Sequence, residues 1–241
     1  MTASDLDSMP RRVRWNNFPD VIIHTSESSV KKHLSYPDAK AGDADAANFL
    51  VDDLVSLEAA AKIKDVIGTN RPYLASVHAF ERHGINAIPE ALARKLSDIL
   101  ELMVEHTIVQ VNVVRHTGAD GFGRLARQAA FQGKITPGAT YFLVDDFIGQ
   151  GGTLANLRGF IETEGGSVLG ATVLTGKSFS AKLALELGQL QSLREKHGQD
   201  FEVWWHGRFG HAFDCLTQSE ARYLERSPDV DTIRNRIAAQ E

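Results

Sequence analysis

The fold turns on the stretch Tyr141-Phe-Leu-Val-Asp-Asp-Phe-Ile-Gly-Gln-Gly-Gly-Thr-Leu-Ala-Asn-Leu157. Tyr141 to Val144 are apolar and half of them favour β-structure, as a central parallel strand requires. Asp145 and Asp146 follow, where that strand is expected to end. Gly149, Gly151 and Gly152 then permit a tight turn and a close approach of the backbone to a ligand. Thr153 opens an amphipathic segment, with Leu154, Leu157, Phe160 and Ile161 at helical spacing. A strand, a tight loop and a helix start in this order turn free N–H groups and the positive end of a helix dipole toward an anion. The two carboxylates beside them suit hydroxyls or a hydrated Mg2+. The stretch therefore predicts one site with a phosphate end and a sugar or metal end. Adjacent acids at a buried strand end are costly without such a use.

The chain carries the same pentapeptide twice. Phe49-Leu-Val-Asp-Asp53 repeats Phe142-Leu-Val-Asp-Asp146, but it continues Leu-Val-Ser-Leu-Glu-Ala-Ala-Ala with no glycine. Leu50, Leu54 and Leu57 fit one helix face and the alanines favour helix, so the first copy is expected to be a surface helix with solvated acids. The glycines, not the acidic pair, carry the phosphate argument.

Working outward, Val21-Ile-Ile is a short strand candidate, residues 24–33 form a polar stretch, and Pro37 to Asp45 are expected as loop. A helix is expected over roughly Ala46 to Ile67. Tyr73 to Val77 is a second strand candidate, leading into the polar run His78-Ala-Phe-Glu-Arg-His-Gly84. The next helix has Pro89 near its start and Leu92, Leu96, Ile99 and Leu100 on one face. Thr107 to Val114 is a third strand candidate. It opens into Arg115-His-Thr-Gly-Ala-Asp-Gly-Phe-Gly123, which suits a mobile flap or an ordinary loop before a basic helix. Val168 to Leu174 is a fourth strand. The alternation of strands near 73, 107, 141 and 168 with helices argues an α/β, doubly wound, mainly parallel sheet. Ligands lie at the carboxyl ends of such strands, where all three polar loops begin. Ala181 to Lys196 and the segments from Ser219 and Asp229 are expected to be helices. Phe201 to Phe213 is dense in aromatics, suited to packing or to a lid over a heterocycle.

The chain has 241 residues, 43% of them hydrophobic, enough for one sizeable core with added segments. Its 26 basic and 31 acidic residues give a net charge of −5, which argues against a large nucleic-acid footprint. The single cysteine, Cys215, excludes an intrachain disulfide and points to a reducing compartment. No apolar window approaches a membrane span and residues 9–15 lack a signal-peptide core, so a cytoplasmic protein is expected. No His and Cys spacing suggests zinc, and there is no nucleophile elbow or Walker loop.

Residues 144–153, Val-Asp-Asp-Phe-Ile-Gly-Gln-Gly-Gly-Thr, resemble the phosphoribosyl-pyrophosphate (PRPP) motif of type I phosphoribosyltransferases. The order of strand, Gly-rich loop, Arg-containing helix, Phe and acidic strand end is also similar to ComF-type members. The resemblance covers roughly residues 71–177. It implies a phosphoribosyltransferase core there, a partly helical N-terminal extension over 1–70 and a helical, aromatic segment over 178–241 that packs on the core as a hood. It implies an enzyme that transfers the 5-phosphoribosyl group from PRPP to a nitrogenous base and releases pyrophosphate, with Mg2+. Asp145 and Asp146 would face the ribose hydroxyls and hold the metal indirectly, through water or ribose. Phe147, Ile148, Gly149, Gln150, Gly151, Gly152 and Thr153 would bind PRPP. His78, Ala79, Phe80, Glu81 and Arg82 would form the pyrophosphate loop, and Arg115, in the flap, would act catalytically on the pyrophosphate. The partners implied are PRPP and a small base, with no membrane and no nucleic acid; a homo-oligomer is left open.

One departure matters. Many purine-specific members carry an acid three positions after the second aspartate, where this chain has Gly149, and Gln150 replaces a commoner Thr. The acceptor base is therefore open. A PRPP-sensing regulator on the same fold is the alternative, and a sugar-phosphate enzyme of unrelated chemistry is a third reading.

Overall fold

The computed structural model describes residues 11–77, 86–112 and 121–240, with the backbone of Phe80–Glu81 and Gly84–Ile85 between them. A strap over residues 11–20 precedes the short strand β1 (Ile22–Ile23). Four helices follow: α1 (Glu27–Lys32), α2 (Tyr36–Ala41), α3 (Ala44–Leu54) and α4 (Leu57–Ile67). Strand β2 (Tyr73–Ser76) leads to a small hairpin of β3 (Phe80–Glu81) and β4 (Gly84–Ile85), then to α5 (Ile88–Leu100). Short strands β5 (Val104–Glu105) and β6 (Val109–Gln110) come before α6 (Gly121–Ala126) and β7 (Phe131–Gln132). The long strands β8 (Thr140–Ile148) and β9 (Ser167–Gly176) flank α7 (Gly152–Thr163). Helices α8 (Leu187–His197), α9 (Gln199–Phe209), α10 (Gln218–Glu225) and α11 (Val230–Ala238) end the described chain.

Five strands form a parallel sheet in the order β1-β9-β8-β2-β5. Successive residues of β8 point to opposite faces. Tyr141 and Leu143 pack with Leu154, Leu157 and Ile161 of α7. Phe142 and Val144 pack with Leu50 of α3, Ile63 of α4, and Leu92 and Leu96 of α5. Both faces are covered, so residues 141–144 are 0% exposed. That burial is why the strand is a continuous apolar run, and each such side chain contributes about 1.5–3 kcal/mol. The result is an α/β fold consistent with double winding. A third core joins α6 to the C-terminal helices through Phe122, Leu125, Leu193, Phe201, Trp205 and Ile233.

Several expectations need correction. Pro37 does not mark a loop; it sits in the first turn of α2, where a missing N–H costs nothing. The helix expected over residues 46–67 is two, because Ser56 accepts the N–H of Ala59 at 3.2 Å and caps α4. Leu57 is 72% exposed and shares no face with Leu50. Of the strand expected over Thr107 to Val114, residues 113 and 114 lie outside the described residues, and Thr107 to Asn112 do not join the main sheet. The edge there is β5, while β6 pairs antiparallel with β7. The cause is polar: Gln110 turns inward, and the Asn112 amide binds Gln128 O at 2.7 Å and Ala130 N at 2.8 Å, drawing the segment toward β7. Gly121 and Gly123 belong to α6, not to a flap, with Phe122 buried against Tyr223. The helix expected from Ala181 starts only at Leu187, after a 3-10 turn at Ser178–Ser180. The aromatic run packs on itself: Phe201, Trp205, Phe209 and Phe213 are all buried, so those four rings are core and not a hood.

Candidate functional site

Asp145 and Asp146 lie inside β8, which continues to Ile148 because β9 pairs with it as far as Gly176. Strand alternation starts the two side chains on opposite faces, but their carboxyls come within hydrogen-bonding reach of each other. Asp145 is 7% exposed, and its Oδ1 accepts the Asp146 N–H at 2.8 Å. Burial, with the neighbouring Asp146 charge, pushes its carboxyl well above the ordinary range. Burial acts on Asp146 the same way, but the Lys40 ammonium, 2.9 Å from Oδ2, together with hydrogen bonds from Asp145 and Asn86, holds this carboxyl below its ordinary value. The Asn86 side chain adds a hydrogen bond to Asp146, and its own Oδ1 caps Ile88 N at 3.2 Å. The two adjacent carboxyls are thus shifted in opposite directions, Asp145 toward holding its proton and Asp146 toward giving it up, which suits the pair to donate and accept hydrogen bonds with a diol.

Lys40 and Asn86 are the residues that sequence reasoning missed. Lys40 reaches the pair from α2, which is fastened by the Ala87 N–H to the Ala39 carbonyl at 3.2 Å. A helix signal was present in Ser35-Tyr-Pro37, with Pro at the first turn.

The loop after β8 divides in two. Gly149 and Gln150 face a cleft of about 520 Å³ whose wall carries Arg124, Lys177, Arg222 and Arg226 and no carboxylate. Arg124 lies so close to Gly149 that a Cβ there would meet Nη1 at 2.5 Å. A guanidinium therefore stands beside the position where purine-type motifs carry an acid. Arg124 Nε and Gln150 Oε1 are buried without a hydrogen-bond partner among the described residues. Side chains built on Gly151 and Gly152 would point elsewhere. Gly151, at φ +82°, abuts Leu183 and Thr217, and Gly152 abuts Glu220 and Arg12. Positive φ at Gly151 is what lets the chain enter α7 directly. Phe147 and Thr153 are half-buried, and Ile148, 1% exposed, gives its side chain to the core.

The expected pyrophosphate loop cannot be placed in full. His78, Ala79, Arg82 and the flap residue Arg115 lie outside the described residues, and Phe80 and Glu81 are described only as the backbone of β3. Among the described residues no three His, Cys, Asp or Glu side chains converge as a metal shell. With Asp146 already paired to Lys40, the acidic pair does not fit direct coordination of a resident divalent ion. No helix among the described residues is long and apolar enough to cross a membrane.

No family model matches the chain. It is similar to Protein TraN of Escherichia coli, 42% identical over 232 residues that span 96% of this chain and 52% of that protein. It is also similar to a Haemophilus influenzae protein described as uncharacterized, 38% identical over 163 residues, 67% of this chain and 36% of that protein. The chain thus spans about half of the first relative and about a third of the second. Among solved structures it is similar to UMP synthase of Leishmania donovani, with 12% identity over 87% of this chain and 35% of that one. The TM-score of that match, 0.34, is too low to carry an argument about fold or function.

Proposed function

We propose that the chain binds PRPP and transfers its 5-phosphoribosyl group to a nitrogenous base. One observation supports this best: a pair of adjacent, hydrogen-bonded aspartates and a four-cation cleft meet within one short stretch, Asp145 to Gln150, at the carboxyl end of a central parallel strand. In this reading Asp145 and Asp146 hold the ribose 2′- and 3′-hydroxyls. The Gly149–Gln150 backbone and the cleft cations take the anionic groups, and stabilise negative charge as the leaving group departs. Asp145 and Asp146 would hold Mg2+ only indirectly, through water or the ribose hydroxyls, and the ion would supply charge neutralisation of the leaving pyrophosphate. The electropositive wall beside Gly149 suits an acceptor that presents carbonyl oxygens or a negative charge.

The test is pyrophosphate release from PRPP and Mg2+ with a panel of purine, pyrimidine and carboxylated bases. The proposal expects release that depends on one base and falls at least tenfold in Arg115→Ala and in Arg124→Ala. A specific observation favours a second reading, that of a PRPP sensor. Phe201, Trp205, Phe209 and Phe213 are buried in their own core, leaving those rings unavailable to stack on a base. Tight PRPP binding without base-dependent release across the panel would decide for the sensor.

A further inference from the structure

The loop is shaped from outside the strand–loop–helix unit that contains it. Thr217, the residue before α10, donates its hydroxyl to the Gln150 carbonyl at 2.5 Å. The same hydroxyl accepts the Glu220 N–H at 3.1 Å, and Glu220 Oε2 accepts the Thr217 N–H at 2.9 Å, a reciprocal cap. Glu220 is in turn gripped by Arg12, with Nη1 at 2.6 Å from Oε2 and Nη2 at 2.9 Å from Oε1. The two side chains are 1% and 2% exposed. Arg12 Nε also donates to Asn156 Oδ1 of α7 at 2.6 Å, and the Asn156 amide donates to Ala129 O at 2.9 Å. Strap, α7 and α10 thus form one buried polar network in which Thr217 has no freedom to turn away.

That network has a consequence for the loop. The peptide between Gln150 and Gly151 is trans, so its N–H points opposite to its carbonyl. Fixing the Gln150 carbonyl on Thr217 fixes the Gly151 N–H toward the other side of the loop. Gly151, in the left-handed region, is the residue best able to let this peptide flip if it is released. We propose that Thr217 is a positioning residue for ligand binding: its hydroxyl locks the Gln150–Gly151 peptide in the orientation that offers an N–H to the ligand's phosphate. This rests on the reading of the loop as a phosphate cradle.

The experiment compares Thr217→Ser, Thr217→Val and Thr217→Asp in the full chain, titrated calorimetrically with ribose 5-phosphate and, separately, with pyrophosphate. Serine keeps both hydrogen bonds. Valine loses both. Aspartate still accepts the Glu220 N–H but has no proton for the Gln150 carbonyl, so it separates the latch from the helix cap and serves if valine fails to fold. The expected result is ribose 5-phosphate affinity within twofold of wild type for Ser, and at least tenfold weaker for Val and Asp. Pyrophosphate affinity should be unchanged throughout. If folded Val and Asp variants bind ribose 5-phosphate as wild type does, while melting earlier, Thr217 is only a helix cap and the proposal is overturned. If the wild-type protein binds neither ribose 5-phosphate nor PRPP, the phosphate-cradle reading falls first and takes the latch with it.

Discussion

Residues 49–53 and 142–146 share the sequence Phe-Leu-Val-Asp-Asp; the first lies in helix α3 and the second in strand β8. In α3 the spacing of 3.6 buries Leu50 and Val51 and leaves Phe49 67% exposed. In β8 both faces are covered, and Phe142, Leu143 and Val144 are all 0% exposed. The acids diverge in the same way. Asp52 pairs with Lys95 and Asp53 with His33, with the acid side chains 56% and 72% exposed. Asp145 and Asp146 are held largely away from water, with their pKa values shifted in opposite directions. Conformation is decided by the residues just beyond each pentapeptide and by the partners available to it. The alanines of the first copy continue as a second helix, while the glycines of the second end a strand that has partners on both sides.

Four comparisons test how far the two copies differ. The largest effect is expected from the shared phenylalanine: Phe142→Ala should cost about 3–5 kcal/mol and Phe49→Ala no more than about 0.5 kcal/mol, measured by urea unfolding. Comparable losses would mean that the two environments are not as different as their burial.

The fifth residue after each acidic pair comes next. Gly151→Val places a branched side chain at φ +82° with its Cβ 2.4 Å from Leu183 Cδ2, and should cost about 2–4 kcal/mol. Glu58→Val, on the exposed face of α4, should cost less than about 1 kcal/mol. This places the damage of Gly151→Val in the fold as well as in the ligand site.

The acids themselves give the third contrast. Asp145→Asn and Asp146→Asn should each weaken PRPP affinity by about 1.5–3 kcal/mol, and Asp52→Asn and Asp53→Asn should leave it unchanged in the same calorimetric titration. Lys40→Met should weaken it too, since Asp146 then loses its counter-charge. Equal losses in both pairs would remove the site from β8.

The smallest effect is on stability and depends on pH. The folded state raises the Asp145 pKa, so it binds that proton more tightly than the unfolded chain does. The stabilisation is present below the ordinary Asp value of 3.8 and is lost as pH rises through the raised folded-state value. Asp145→Asn should therefore melt higher than wild type at pH 8, and the gap should close as pH is lowered toward 4.

Much of this was legible in local sequence. The β8–loop–α7 unit follows from an apolar run, glycines and a 3.6 period, all within seventeen residues. What escaped was set by distant partners. Nothing near Lys40 announces Asp146, and nothing near Thr217 announces Gln150. Residues 107–114 suggested a sheet strand, yet Val109 and Val111 are 41% and 43% exposed while Gln110 is buried, because Asn112 bonds on the far side decide which way the segment turns. The glycines of the loop were visible, but not that two of them face Leu183 and Glu220 while only Gly149 borders the cleft. Periodicity states what an element can bury; it does not name the neighbour that arrives.

The pairing of β1 with β9 reaches beyond the site. Ile22 meets Thr172 across 150 residues of chain, and Arg12 meets Glu220 across 208. Closing loops of that length is entropically costly and slow, so contacts between the chain's extremes are late events on a folding pathway. During synthesis the strap must stay solvated, with the Arg12 charge unmatched, until α10 has left the ribosome. The Thr217 latch can therefore close only once α10 has been made, and the loop between Ile148 and Gly152 takes its final shape only when nearly all of the described chain is present.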